Sequence, residues 1–146
     1  MTVSLGRVYI QGTNVNVRKG SDITYSKIAQ VNQPETFLVA DKENGWLLIN
    51  GFSASNNKVL NGWIKYDKSY IQFLENGKQS GVATINGMYV NVRKGPNKKY
   101  DVVKQVNKTD PITDYQVFEA EDGWLNLGGN QWMYYDPKYI KLKMVH

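Results

Sequence analysis

Aromatic rings beside side-chain amides are the groups in this sequence best suited to chemistry, and they come in two matched sets. Asn14, Asn16, Tyr25 and Trp46 form the first, and Tyr89, Asn91, Tyr100 and Trp124 the second. Ring faces stack on sugar C–H groups or extended peptide backbone, and amides fix the orientation of what is stacked. That is binding chemistry. Each residue also has a structural role to weigh. Tyr25 and Tyr100 lie on an early loop, where they can pin the loop or line a groove. Asn16 and Asn91 can satisfy loop amides. Trp46 and Trp124 can plug the core or floor a cleft, while Arg18 and Arg93 fit packing over the fold and bonding loop carbonyls.

Residues for bond-making chemistry are scarce. The one histidine is His146, at the chain end where fraying is expected. Cysteine is absent, so thiolate nucleophiles, thiolate metal sites and disulfides are excluded. Without a histidine base, Ser-His-Asp and Cys-His arrangements fail too. Asp41, Glu43, Glu119, Glu121 and Asp122 sit in short polar turns. A glycosidase needs two carboxylates about 5–9 Å apart, but acids at matched turn positions read as turn formers. No phosphate-cradling loop, EF-hand or zinc spacing is present. The expectation is no catalytic residue, no metal and no cofactor.

The sets match because the chain repeats itself. Residues 10–32 return as 85–107 with twelve of twenty-three positions identical, including an unbroken V-N-V-R-K-G. Asn44-Gly45-Trp46-Leu47 then answers Asp122-Gly123-Trp124-Leu125, and Trp63 to Ile71 answers Trp132 to Ile140. Between those anchors the second copy lacks nine residues, which fall in the polar stretch Gly51 to Gly62; this reads as a surface loop. Asn14 of the first copy is Tyr89 in the second. Duplicated small folds lacking catalytic groups commonly act as multivalent binders.

The elements that position these residues are short strands. Val15 and Val17 alternate with Asn16 and Arg18, as do Val90 and Val92 with Asn91 and Arg93, so each run has one buried face. Asn44-Gly45 and Asp122-Gly123 are hairpin turns between strands. No helical apolar stripe persists beyond one turn. Five or six strands and a long early loop per copy predict an all-β chain of two tandem small β-barrels. The expected division is a first domain over 1–74, a linker over 75–81 (polar, with two glycines) and a second domain over 82–146. Domains this small need dense aromatic cores, and four Trp, ten Tyr and four Phe supply them.

Charge narrows the partner weakly. The net +5 comes from eight basic and five acidic residues in 1–74, and ten and eight in 75–146. Such an even bias suits an anionic wall, nucleic acid or membrane surface, and equally plain solubility. No stretch approaches a transmembrane span, and Met1 to Gly6 lacks a signal-peptide core. No membrane insertion is expected; export would use another route or a parent protein that carries the address.

The N-V-R-K-G strand-to-loop, the Tyr five residues on, the Gly-Trp hairpin return, a further Trp and the closing Tyr-Ile resemble the bacterial SH3-type domain, twice over nearly the whole chain. The resemblance implies SH3-like barrels. Such domains occur on peptidoglycan hydrolases, especially phage endolysins and autolysins of Gram-positive bacteria, and the tandem is similar to the C-terminal targeting half of clostridial phage lysins. It implies a peptidoglycan or wall-polymer ligand and a fused catalytic domain. In such barrels the Y-D-x-x-Y turn borders the early loop, which makes Tyr66 and Tyr135 groove candidates and leaves Tyr70 and Tyr139 to close the core. Two other functions compete. A module reading extended or proline-rich peptides is disfavoured by the lack of a strongly acidic early loop. Nucleic-acid binding by stacking is disfavoured by the even charge and three arginines, so no nucleic-acid partner is expected.

Overall fold

A computed structural model describes residues 4–52 and 59–145. The described residues form strands and turns, with no helix. Two compact units divide between Glu75 and Asn76. The first holds β1 (Gly6–Ile10), β2 (Val15–Arg18), β3 (Lys27–Val31), β4 (Thr36–Glu43), β5 (Trp46–Phe52), β6 (Val59–Lys65) and β7 (Ile71–Glu75). The second holds β8 (Gly77–Ile85), β9 (Val90–Arg93), β10 (Val102–Val106), β11 (Asp114–Glu121), β12 (Trp124–Asn126), β13 (Trp132–Tyr134) and β14 (Ile140–Met144). Strand order is β3-β2-β6-β5-β4-β1-β7 in one sheet and β10-β9-β13-β12-β11-β8-β14 in the other, the same topology twice. The sequence repeat is a repeat of fold.

Alternation builds the cores. In β2, Val15 and Val17 face inward while Asn16 and Arg18 stay half-buried. Val8, Val31, Phe37, Val39, Leu47, Ile49, Ile64 and Ile71 complete the first core. Burying each such side chain contributes about 1.5–3 kcal/mol. The second unit repeats this with Ile85, Val92, Val106, Val117, Leu125, Met133 and Ile140. The hairpins turn as their residues demand. Asn44 (φ 52°) and Gly45 (φ 82°), like Asp122 (φ 50°) and Gly123 (φ 91°), occupy the left-handed region, as a two-residue hairpin loop matched to strand twist requires.

Three expectations change. Each unit has seven strands rather than five or six, because part of the early loop is strand: β3 and β10 pair with β2 and β9 as an arm at the sheet edge. Their outward residues are mostly exposed, so they carry little apolar signal. Residues 77–81, expected as linker, belong to β8, which pairs with β11 and β14. The buried face of β8 is Gly81, Ala83 and Ile85. A Cβ on Gly81 would come within 2.6 Å of the Lys143 carbonyl oxygen, so its small size reflects close strand approach and not chain flexibility. Finally, the stretch from Gly51 to Gly62 is not wholly loop. Its ends extend the β5–β6 ladder to the pair Phe52–Val59, and 53–58 lie outside the described residues. The shorter β12–β13 ladder ends at Asn126–Trp132.

Candidate functional site

Each unit carries an open cleft, and the two clefts occupy equivalent places. The first encloses about 340 Å³ and the second about 320 Å³. Both are bounded by the turn between the first two strands, the outer face of the second strand, the Trp that opens the fifth, and the Tyr that precedes the seventh.

The turn is built identically in both. The Gln11 amide donates to the Tyr70 carbonyl at 2.8 Å, as Asn86 does to Tyr139. A Cβ on Gly12 would lie 2.8 Å from Tyr70 Cβ, and one on Gly87 would lie 2.6 Å from Tyr139 Cδ1. Glycine lets that tyrosine lie against the turn. The next residue but one, Asn14 or Tyr89, is left-handed (φ 54° and 57°). Its amide donates to the side-chain oxygen of Asn32 or Asn107 at 2.7 Å, which pins the cleft's lip.

Asn16 and Asn91 line the wall. Each side-chain oxygen accepts from a neighbouring glutamine, Gln30 at 3.1 Å and Gln105 at 2.9 Å. Their amide NH₂ groups have no acceptor among the described residues. Trp46 and Trp124 are each 8% exposed and form the floor. They serve as core plug and cleft floor at once. Arg18 and Arg93 line the same wall while tying down the early loop: Arg18 Nη1 donates to the Tyr25 carbonyl at 2.9 Å, and Arg93 Nη1 to those of Tyr100 and Lys98 at 3.0 and 3.2 Å.

Six of the ten expected site residues thus come together: Asn14, Asn16 and Trp46 in one cleft, and Tyr89, Asn91 and Trp124 in the other. Four do not. Tyr25 and Tyr100 lay their rings on Gly20 and Gly95, where a Cβ would meet ring carbons at 2.5 Å. They are loop anchors, and this explains the Gly-x₄-Tyr spacing. Tyr66 packs edge-on against Phe73, with ring centroids 5.9 Å apart, and Tyr135 is buried at 4% exposure. In the Y-D-x-x-Y element it is Tyr70 and Tyr139 that line the clefts, while Tyr66 and Tyr70 both pack against the first core. Alternation supplies the reason: with Ile64 and Met133 in the core, the residues two further on face the same way.

The same alternation turns Lys65 and Tyr134 outward into the clefts, a pair that the sequence reading missed. Ile23 and Lys98 add to the rims, and Asp136 lines the second cleft. Beneath the first, burial raises the Tyr70 phenol above its ordinary value, with the Asp67 charge adding to the effect. Asp67 itself is held below the usual carboxylate range, chiefly by the Ser69 hydroxyl and then by the Ser69 amide. Among the described residues no group of three His, Cys, Asp or Glu could hold a metal ion, and no helix is long and apolar enough to cross a membrane.

No family model matches the chain. Over 127 residues, 87% of its length, the chain is 22% identical to the putative N-acetylmuramoyl-L-alanine amidase YrvJ of Bacillus subtilis (strain 168). The match covers 24% of that protein, so the chain spans about a quarter of the length of this curated relative.

Proposed function

We propose that this chain is a non-catalytic wall-binding part of a peptidoglycan hydrolase, an endolysin or autolysin acting on Gram-positive bacteria, and that its units are SH3-type domains. The observation that carries the reading is the duplicated cleft. The same turn, amide wall and tryptophan floor recur in both units, which suits a ligand that is itself repetitive. The relative's name supports a peptidoglycan context, and its length beyond the matched quarter is what a targeting part joined to a catalytic domain would show. Bond cleavage is assigned to a domain outside this chain, and the site of action to the cell wall.

A shallow groove of a few rings and polar groups binds modestly. Two grooves on one chain gain avidity of about 10²–10⁴ on a polymer that engages both. Co-sedimentation with purified sacculi tests the reading: the folded protein should pellet with walls of a Gram-positive species. Failure to pellet with walls from any such species, in a sample with a dispersed NMR spectrum, would refute it. Retention of extended peptides together with indifference to sacculi would favour the peptide-reading module instead.

A further inference from the structure

We propose that the two clefts take chemically different groups: the first a carboxylate, the second a sugar ring stacked on Tyr89. This deepens the wall-binding reading and rests on it.

The first cleft offers donors. Arg18 and Lys65 line it, with no acidic side chain among the lining residues. Arg18 spends one hydrogen bond on the Tyr25 carbonyl, and a guanidinium has five N–H donors. The Asn16 NH₂ stands on the same wall. Asp67 is close enough for the Lys65 charge to help lower its carboxyl, but its Oδ1 already accepts both the hydroxyl and the amide of Ser69. Two cations and an amide around a tryptophan floor match an anionic group, since charge-assisted bonds to a carboxylate are the strong ones.

The second cleft keeps the arginine, asparagine and tryptophan as Arg93, Asn91 and Trp124 and changes what surrounds them. Lys65 becomes Tyr134, Ile23 becomes Lys98 and Asn14 becomes Tyr89, while Asp136, the counterpart of Asp67, lines the second cleft where Asp67 does not line the first. Arg93 Nη1 is shared between two loop carbonyls. The result is ring surface with a carboxylate, an ammonium, an amide and a guanidinium tied to the loop through Nη1, which can accept from and donate to hydroxyls. Only one ring is free to stack. Trp124 and Tyr134 pack edge-on against each other at 5.4 Å. Tyr139 lies against Gly87 and carries Lys138 Nζ 5.6 Å from its ring centroid. Tyr89 is 69% exposed at the lip, and its backbone is left-handed at φ 57°. A bulky residue in that region is an outlier, and such strain collects at ligand clamps. Asn14 fills the same position in the first unit with a side chain that tolerates the conformation. The second unit therefore presents a ring against its backbone preference, at the mouth of a cleft whose other groups suit a sugar.

The test is an NMR titration of the full chain with two probes, a neutral N-acetylglucosamine trimer and an acetylated alanyl-glutamate dipeptide. The trimer should shift the Trp124 indole and the 86–91 amides while leaving Trp46 in place; the dipeptide should do the reverse. Tyr89→Asn, which relieves the strain, should weaken the trimer about tenfold and leave the dipeptide unchanged. Lys65→Ala, at an exposed position, should have the opposite selectivity. Equal response of both clefts to each probe, reversed preference, or no trimer response at Trp124 while the protein still pellets with sacculi would overturn the division and leave the wall reading standing. Loss of sacculus binding by the unmodified protein would overturn the wall reading itself.

Discussion

Gly95→Ala should change sign depending on whether Tyr100 is present. The Tyr100 ring lies on Gly95 so closely that an added Cβ would sit 2.5 Å from its Cε1, Cε2 and Cζ. Real Cβ atoms do not approach ring carbons that far, so the ring must lift. Tyr100 is 46% exposed, and lifting it gives up about 100 Å² of ring contact, or about 2.5 kcal/mol. Overpacking costs of about 1–3 kcal/mol point the same way. We therefore expect Gly95→Ala to destabilise the second unit by about 2 kcal/mol. Gly95 is outside the left-handed region, so alanine is conformationally compatible with it. Once Tyr100→Ala removes the ring, Gly95→Ala should be neutral or stabilise by about 0.4–1 kcal/mol through the unfolded state. The coupling in the double-mutant cycle is then about 2–3 kcal/mol. Urea unfolding followed by amide peaks of the second unit keeps its transition apart from that of the first. An equal cost of Gly95→Ala in both backgrounds would refute the stacking account of the Gly-x₄-Tyr spacing.

Two further outcomes follow from the geometry. Tyr89→Asn should stabilise the second unit by about 1 kcal/mol, because asparagine tolerates the left-handed backbone that tyrosine resists; a destabilised variant in urea unfolding would remove the strain argument. Burial raises the phenols of both Tyr66 and Tyr70, with Glu75 and Asp67 adding respectively. Folding holds their protons, so this stability is complete below the ordinary tyrosine value of 10.0 and is lost as pH rises through the folded values. In an ultraviolet titration, Tyr66→Phe and Tyr70→Phe should each remove absorbance change from the part of the curve above 10.0, and loss from the part at or below it would contradict this.

The fold was legible wherever apolar residues carried the signal. Val15 and Val17, the Gly-Trp hairpins and the matching runs of the second copy located the framework, and duplication supplied an internal check. It was illegible where small or polar residues do structural work. Polar residues and Gly81 open β8 without hydrophobic bulk, so its first five residues, 77–81, read as linker. The β3 and β10 arms expose most of their side chains and looked like loop. In both cases the missing information is the close approach of a neighbouring strand, which no local window contains.

The site was legible to a different degree, and for a reason within reach of the sequence. Strand alternation correctly set Asn16 and Asn91 outside the valine core. Carried two residues past Ile64 and Met133, it also places Tyr66 and Tyr135 inward and Lys65 and Tyr134 outward, which is where they lie. The family resemblance pointed to the neighbouring turn instead, and the periodicity was the better guide. Tyr70 and Tyr139 demanded more. Their position follows from Gly12 and Gly87, whose missing side chains make room for the rings and which are 58 and 52 residues away along the chain. Described glycines outside the left-handed region make room for a close neighbour, a strand at Gly62 and Gly81 and a ring elsewhere. The ring is Tyr25 at Gly20, Tyr100 at Gly95, and the two cleft tyrosines at Gly12 and Gly87. Where the copies keep the same glycine and ring they keep the same frame, so functional divergence should be sought where they exchange side chains on that frame. Asn14 against Tyr89 and Lys65 against Tyr134 are two such exchanges, and both face the cleft.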